Sequence, residues 1–205
     1  MKLLIVGLGD STTAGTPGFL SPLEAPPKGH GNPESQYSYW MMRAHPDWTV
    51  LNRGIDGQRT DEILARFHRD VTQAKPDFVI ILGGVNDIYQ GVRLGTIKDN
   101  LRTMYEQAIS NRIKAVAASV LPYNTATTRE SETITELNGW IESISRILNL
   151  LFCDTNRAVA DPMDRNRLAE SPDGYHPDAV GYRRMGEALA EVIATALDTQ
   201  RIHME

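Results

Sequence analysis

The sequence lacks the residue patterns that define several large protein classes. Its single cysteine, Cys153, leaves no partner for an internal disulfide and excludes a cysteine-rich metal site. No apolar run approaches the roughly 18 residues of a membrane span. Lysine and arginine form no dense patch and the formal net charge is -5, so nothing favours binding to nucleic acid. We therefore expect a globular protein without a membrane span or a nucleic-acid partner.

The N-terminal sequence, MKLLIVGLGD, is also too short in apolar residues for a secretory signal. Its apolar run covers residues 3–8 and is broken by glycine. A signal peptide needs about 7–15 apolar residues followed by a small-residue cleavage site. We expect a cytoplasmic protein that begins with its first strand. Cys153 lies in a later apolar run, residues 150–154, where a buried and unreactive thiol is expected.

Short apolar runs alternate with segments of helical periodicity. The five runs are residues 2–8, 49–52, 78–82, 115–120 and 150–154. The helical segments lie near residues 35–44, 60–72, 96–111, 132–148 and 179–198. In the fourth segment an apolar residue recurs every three or four positions, which gives one apolar helix face. This alternation predicts an α/β fold with a parallel sheet covered on both sides.

One segment, residues 12–34, does not follow this alternation. It contains five prolines and no apolar periodicity. A loop of this length inside a compact domain is usually functional or disordered. Because the segment follows Ser11 directly, we consider a wall or lid over a site, with a mobile surface loop as the alternative. No repeat, linker or change in composition divides the chain, so we expect a single domain over residues 1–205.

Polar and glycine-rich residues follow each predicted strand. They are residues 9–11, 52–57, 83–87 and 121–124 after the first four runs, and a longer connection after the fifth run reaches residues 173–177. Ligands of parallel α/β sheets bind at the carboxyl ends of the strands. The sequence therefore predicts a functional site at this edge of the sheet.

A serine and a histidine at this edge suggest nucleophilic catalysis. A serine hydroxyl such as that of Ser11 is a poor nucleophile unless a base within hydrogen-bond reach takes its proton. Of the five histidines, only His176 lies at a strand-end turn with a carboxylate, Asp173, three residues earlier. His68 is expected on a solvated helix face, and His203 lies in the C-terminal tail. Asp173 could orient one ring nitrogen while the other faces Ser11, although an isolated D-x-x-H is more often a turn and a helix cap.

Acyl transfer also needs hydrogen-bond donors for the developing oxyanion. The candidates are the backbone N–H groups of Ser11 and Gly57 and the side-chain amide of Asn86. Each of the last two has a structural alternative. Gly57 could occupy a turn that needs a positive φ, and Asn86 with Asp87 could form a loop that caps its own backbone.

These residues resemble the four sequence blocks of the SGNH hydrolases, also called the GDSL esterase/lipase family. The matching residues, in the family's order, are Gly9-Asp10-Ser11, Gly57, Gly84-Val85-Asn86-Asp87 and Asp173-Gly174-Tyr175-His176. Together they span nearly the whole chain. Thr12 departs from the pattern, since the family often has leucine there, but this change leaves the proposed triad intact.

The resemblance implies a three-layer α/β/α, flavodoxin-like fold with a five-stranded parallel sheet. It implies Ser11 as the nucleophile, His176 as the base and Asp173 as the partner of that base. The oxyanion hole would comprise Ser11, Gly57 and Asn86. No metal or organic cofactor is implied, and the expected partner is a small-molecule ester.

Two other residues of the matching blocks, Asp10 and Asp87, are expected to hold loops together by hydrogen bonds. The family includes esterases, arylesterases, thioesterases, lysophospholipases and carbohydrate deacetylases, which the motifs do not separate. Tyr37, Tyr39 and Trp40 are candidates for the pocket wall, with core packing as the alternative, above all for Trp40.

Other functions fit the sequence less well. A dinucleotide site would need a third glycine where Thr12 stands, followed by a helix. An α/β-hydrolase elbow, G-x-S-x-G, would need glycine where Thr13 stands. An acyltransferase or a thioesterase on the same site remains open, as does a binding protein with a vestigial site.

Overall fold

The computed structural model describes residues 2–202. The strands are β1 (Leu3–Gly9), β2 (Phe19–Leu20), β3 (His30–Gly31), β4 (Trp48–Gly54), β5 (Phe78–Leu82), β6 (Lys114–Ala118) and β7 (Leu151–Cys153). The first helices are α1 (Ser11–Ala14), α2 (Tyr37–Ala44), α3 (Thr60–Ala65), α4 (Phe67–Asp70) and α5 (Val85–Tyr89). They are followed by α6 (Leu94–Ser110), α7 (Thr128–Ile147), α8 (Thr155–Val159) and α9 (Ala179–Ile202).

Five strands form one parallel sheet in the order β4-β1-β5-β6-β7. If only the strands of this sheet are counted along the chain, the order is 2-1-3-4-5, as in flavodoxin-like folds. Gly9, the last residue of β1, pairs with Gly54 on one side and with Leu82 on the other. The carboxyl ends of three adjacent strands are therefore level with one another. The predicted α/β fold with a five-stranded parallel sheet is confirmed.

Helices cover both faces of this sheet because successive strand residues point to opposite sides. In β1, Ile5 packs into a cluster with residues of α2 and α9, while Val6 packs into a cluster with residues of α3, α6 and α7. Every residue of β5 is buried, as expected for a strand covered on both faces. The protein thus has three layers, with the sheet in the middle.

The predicted helix over residues 60–72 is wrong in one respect: it is broken at Arg66. The backbone there has φ -102° and ψ 3°, which separates α3 from α4. The side chain of Arg66 is buried and bonded to carbonyl groups behind the sheet edge, and this contact directs the chain away from a continuous helix. Helix α7 begins earlier than residue 132, because Thr127 and Glu130 form a capping box.

The prediction of an irregular loop from Thr12 onward is also wrong in part. A one-turn helix, α1, follows β1 directly because the Asp10 side chain accepts from the N–H of Thr12 and caps its start. The helix ends at Gly15, whose φ of 108° suits glycine. The remaining segment contains the antiparallel β2–β3 hairpin and is fixed to the sheet edge by the Ser21 hydroxyl, which donates to the Gly54 carbonyl at 2.6 Å.

Two expectations drawn from the composition concern Cys153 and membrane-spanning segments. Cys153 is free and 2% exposed, and burial raises the pKa of its thiol to about 12, so the thiol is buried and protonated at neutral pH. None of the helices within residues 2–202 is both long enough and apolar enough to cross a bilayer.

Candidate active site

The three residues expected to form a triad lie together at the carboxyl edge of the sheet. The Nε2 atom of His176 is 2.8 Å from the Oγ atom of Ser11, although 165 residues separate them in sequence. The Nδ1 atom of the same ring is 2.7 Å from Oδ2 of Asp173. Ser11 is the first residue of α1 and is 4% exposed. Asp173 and His176 belong to the irregular segment between α8 and α9.

The turn that carries Asp173 and His176 is held by its own hydrogen bonds. Asp173 Oδ1 accepts from the backbone N–H groups of Tyr175 and His176, both at 2.8 Å. The hydroxyl of Ser171 donates to the His176 carbonyl at 2.6 Å and accepts from the N–H of Gly174 at 2.9 Å. Ser171 was not identified from the sequence, since a serine near a turn carries no distinctive signal.

These contacts determine how the His176 ring is used. Burial opposes ionisation of Asp173, but hydrogen bonds from the His176 ring and from the N–H groups of Tyr175 and His176 lower its pKa below the usual value. An ionised carboxylate only accepts hydrogen bonds, so Nδ1 of His176 carries the proton. Nε2 is then the acceptor and faces the hydroxyl of Ser11.

The predicted oxyanion donors also border the same pocket. Ser11, Gly57 and Asn86 all line it. Within the described chain the backbone N–H groups of Ser11 and Gly57 donate to no protein acceptor. Asn86 uses one amide hydrogen in a 3.0 Å bond to the Gln58 carbonyl, which fixes the side chain and leaves the second hydrogen for another acceptor. Gly57 has φ +70°, so it does occupy a turn that needs a positive φ. It also lines the pocket, so the two interpretations of this glycine are compatible.

The two aspartates beside the site make the loop contacts expected of them. Asp10 caps α1 through Thr12, and burial raises the pKa of its carboxyl to about 6, opposed by the Thr12 N–H and by nearby His176. Asp87 accepts from the N–H of Thr60 at 2.8 Å and from its hydroxyl at 2.6 Å. The loop after β5 is thereby joined to the start of α3.

A buried arginine behind the site was missed from the sequence. Arg66 is 6% exposed and makes four hydrogen bonds. Its acceptors are the Gly9 carbonyl at 2.6 Å, Gln58 Oε1 at 2.7 Å, the Arg53 carbonyl at 2.8 Å and Asp70 Oδ2 at 2.8 Å. An arginine in an amphipathic helical segment is normally read as a surface residue, and no spacing rule marks this one.

The pocket above Ser11 has a volume of about 340 Å³. Its walls are Ser11, Thr12, Asp56, Gly57, Val85, Asn86, Tyr89, Tyr123, Tyr175 and His176. Of residues 12–34, only Thr12 reaches the pocket, so the rest of that segment forms no wall or lid in this structure.

The aromatic residues proposed for the pocket from the sequence are not among its walls. Tyr37 is fully buried and donates to Thr13, while the Trp40 indole donates to the Glu34 carbonyl. Tyr39 packs edge-on against Trp40. The tyrosines that do line the pocket, 89, 123 and 175, come from three separate segments, and only the fold brings them together.

His30, His45 and His68 are not among the residues that line the pocket. His68 is exposed, as expected for a solvated helix face, and His203 lies outside the described residues. Over residues 2–202 no three histidine, cysteine or acidic side chains are grouped to hold a metal ion.

Comparison with known proteins shows the relationship suggested by this geometry. The sequence model of the GDSL-like Lipase/Acylhydrolase family matches residues 8–184. An acetylxylan esterase of Geobacillus stearothermophilus is 24% identical over 156 residues, which cover 70% of this chain and 71% of the relative.

Solved structures agree with the sequence comparison. A protein assigned to the lipolytic G-D-S-L family from Desulfitobacterium hafniense DCB-2 superposes with a TM-score of 0.76 and 28% identity, covering 93% of this chain and 99% of the other. A GDSL-like lipase from Bacteroides thetaiotaomicron VPI-5482 gives a TM-score of 0.71 and 25% identity, covering 94% and 88%. With the family match over most of the sequence and the family's blocks gathered at one edge of the sheet, the chain belongs to the GDSL-like lipase/acylhydrolase (SGNH hydrolase) family.

Proposed function

We propose that this protein hydrolyses small acyl or aryl esters through an acyl-enzyme formed on Ser11. The observation that carries the proposal is the continuous hydrogen-bonded line from Asp173 through His176 to Ser11, with distances of 2.7 and 2.8 Å. Such a line activates a serine hydroxyl, because the imidazole accepts its proton and the carboxylate stabilises the imidazolium.

The reaction has two steps, acylation of Ser11 and hydrolysis of the acyl-enzyme. Ser11 Oγ bonds to the ester carbonyl carbon while its proton moves to Nε2 of His176. The N–H groups of Ser11 and Gly57 and the free amide hydrogen of Asn86 hold the oxyanion. The ester C–O bond then breaks and the leaving alcohol takes the proton from His176. Water attacks the acyl-enzyme and gives a proton to His176. The bond between the acyl carbon and Ser11 Oγ then breaks, Oγ takes that proton back from His176, and the acid leaves.

The size of the pocket favours a short acyl group. A volume of about 340 Å³ is at the lower end for ligand sites, and it must also hold part of the alcohol. The name of the acetylxylan esterase relative also fits a short acyl group. We therefore expect hydrolysis to be fastest with acetyl esters and to decline toward octanoyl esters.

The test compares p-nitrophenyl acetate, butyrate and octanoate with the wild type, Ser11→Ala and Ser143→Ala. Ser143 is an exposed serine on α7 and serves as the matched control. We expect turnover by the wild type and by Ser143→Ala, and loss of nearly all turnover in a folded Ser11→Ala. An inactive wild type that also fails to react with a fluorophosphonate at Ser11 would favour a vestigial binding protein and overturn the proposal.

The same assay separates the related activities. Transfer of the acyl group to an added alcohol, in preference to water, would identify an acyltransferase, and faster cleavage of matched thioesters would identify a thioesterase.

A cytoplasmic location remains a prediction, which fractionation of cells that make the natural protein would test.

A further inference from the structure

Three tyrosines form a contiguous aromatic surface beside Ser11. The rings of Tyr123 and Tyr175 are stacked, with centroids 6.0 Å apart, and Tyr89 stands edge-on to both at 6.3 Å. Tyr123 is 2% exposed and supports the other two, which are 60% (Tyr89) and 44% (Tyr175) exposed. Large aromatic side chains left exposed beside a reactive serine provide a flat surface for part of a ligand.

A second cavity begins at this tyrosine cluster. It has a volume of about 630 Å³ and shares Tyr123 with the Ser11 pocket. Apart from Tyr123 and Ala126, every residue that lines it is polar or charged. The charged ones are Glu132, Glu136, Asp164 and Arg167. This groove therefore offers hydrogen bonds along its length and carries more negative than positive charge.

We propose, resting on the esterase activity above, that the leaving alcohol is a neutral, hydroxylated ring such as a sugar, and that further units of it occupy the groove. A sugar ring has apolar C–H faces that pack on tyrosine and hydroxyl edges that hydrogen-bond. A long alkyl chain in the groove would instead leave these polar side chains without partners, which is costly. An anionic alcohol would meet the carboxylates of Glu132 and Asp164, and that of Glu136, which is paired with Lys98 at 2.9 Å, against a single arginine in the lining.

Tyr175 would place the sugar ring of the leaving alcohol close to His176. It directly precedes His176, the residue that gives its proton to the departing oxygen. Tyr175 and His176 both line the Ser11 pocket, so a ring resting on Tyr175 has its ester oxygen near Nε2 while the carbonyl oxygen faces the donors of Gly57 and Asn86.

The test holds the acyl group constant and varies the alcohol. Ethyl acetate, phenyl acetate and 6-O-acetylglucose are compared in the wild type, Tyr89→Ala and Tyr89→Phe, with Ile147→Ala as a control for truncating an exposed apolar side chain elsewhere. We expect the kcat/KM ratio of the sugar ester to ethyl acetate to fall about fivefold to tenfold in Tyr89→Ala. Tyr89→Phe should restore most of it, because the ring is retained.

A binding measurement separates failure of this proposal from failure of the esterase proposal. Titration calorimetry of Ser11→Ala with acetylated cellotriose needs no turnover, and Asn166→Ala in the groove should weaken binding severalfold. If Tyr89→Ala slows all three esters equally, or if only phenyl acetate responds and Asn166→Ala binds the trisaccharide as the parent does, the sugar proposal is wrong.

A separate observation concerns Arg66. Its guanidinium contacts Gly9, two residues before Ser11, and the side chain of Gln58, which follows Gly57. The backbone carbonyl of Gln58 in turn accepts from the Asn86 amide at 3.0 Å. All three proposed oxyanion donors are thus linked to one buried group.

We infer that Arg66 is a positioning residue that fixes the positions of these three donors relative to one another. The planar guanidinium presents donors in fixed directions, so it can hold several carbonyl oxygens at once, which an ammonium group on a flexible stem cannot do equally well. The reaction rate depends strongly on the oxyanion donors, since removing one of them typically slows a reaction by about a hundred- to a thousandfold. A displaced donor should therefore also slow the reaction.

Arg66→Lys and Asp70→Asn separate positioning from simple stabilisation. Both weaken the buried ion pair at 2.8 Å, but Asp70→Asn leaves the contacts of Arg66 with Gly9, Arg53 and Gln58 in place. We expect kcat to fall at least tenfold in Arg66→Lys with KM little changed, and much less in Asp70→Asn. Hydrogen exchange should also become faster in Arg66→Lys at the bonded N–H groups beside the donors, those of Thr12, Ile55 and Asp56, a measurement that needs no activity. Equal kcat in the two folded variants, or unaltered exchange at all three amides, would refute the positioning role.

Discussion

The hydroxyl of Thr60 donates to Oδ1 of Asp87 at 2.6 Å, while the N–H of the same threonine donates to Oδ2 at 2.8 Å. Asp87 is 1% exposed, and burial raises the pKa of its carboxyl even though both bonds from Thr60 oppose this. Thr60 is therefore the main hydrogen-bonding partner of a buried carboxylate one residue after Asn86.

Thr60→Val should destabilise the protein because it leaves that carboxylate with one donor fewer. We expect the free energy of unfolding to fall by about 1.5–3 kcal/mol, measured by urea denaturation at pH 7. Thr103→Val is the control, since the hydroxyl of Thr103 is exposed on α6 and donates to the Asp99 carbonyl of its own helix. A loss no larger in Thr60→Val than in the control would contradict the importance of this pair.

Asp10 makes stability depend on pH in an unusual direction. In the unfolded chain its carboxyl loses its proton near pH 3.8, but in the folded protein only near pH 6. Between these values the folded state binds more protons, so its stability falls as pH rises through this window. Asp10→Asn removes this contribution and keeps a side-chain oxygen to cap α1.

The measurement is urea unfolding of both proteins at pH 4 and pH 7.5. Relative to the wild type, Asp10→Asn should gain about 2–3 kcal/mol between the two pH values. A difference between the proteins that does not change with pH would show that Asp10 keeps an ordinary pKa.

Asp173→Asn tests the orientation of the His176 ring. The asparagine amide has one oxygen acceptor where the carboxylate has two, so the ring loses the partner that keeps the proton on Nδ1. We expect kcat on p-nitrophenyl acetate to fall by about 10³- to 10⁴-fold with KM little changed. Asp161→Asn, whose carboxylate caps the Met163 N–H in the same segment, should retain most activity. Similar losses in both variants would point to disruption of the segment as a whole.

Gly57→Ala tests the proposed backbone donor. Gly57 and Gly91 both have positive φ, +70° and +73°, and neither has an atom within 4 Å of an added Cβ. Each alanine variant should therefore lose a similar 1–2 kcal/mol of stability from backbone strain. Alanine keeps the N–H donor, but relief of the strain at positive φ shifts the backbone that carries it. Only Gly57 lines the pocket, so kcat should fall at least tenfold in Gly57→Ala alone. Equal activities of the two variants would remove Gly57 from the oxyanion hole.

Much of the fold was predictable because hydrophobic burial leaves a periodic signal. Strand β5 and the apolar face of α7 are visible in the sequence, since a strand buried on both sides and a helix on a core each have one permitted pattern. Ser11 was found because it is a reactive residue at a strand end, and His176 because a carboxylate precedes it by three residues. The turn of His176 does not follow a strand directly, since α8 separates it from β7, and β7 is not adjacent to β1. The 2.8 Å contact of the two side chains therefore depends on the path of the irregular segment between α8 and α9.

The remaining features depend on contacts between distant segments, which leave no periodic signal. Arg66 looks like any surface arginine until the fold places carbonyl groups around it. The break between α3 and α4 follows from that burial. Tyr89, Tyr123 and Tyr175 are unremarkable singly, and Ser171 supports the His176 turn through bonds that many serines could make.

Ser11 and His176 are anchored very differently. Ser11 follows β1, which pairs along its length with β4 and pairs with β5 as well. His176 belongs to residues 160–178, which contain a single isolated bridge, Ala160 with Leu168, and are attached through bonds such as Asn124 N–H to the Gly174 carbonyl at 2.7 Å. Such a segment opens at a lower free energy than the sheet. On gradual heating, hydrolysis should therefore fail several degrees before the circular dichroism signal of the helices declines, so that heat would switch the enzyme off reversibly while its core is still folded.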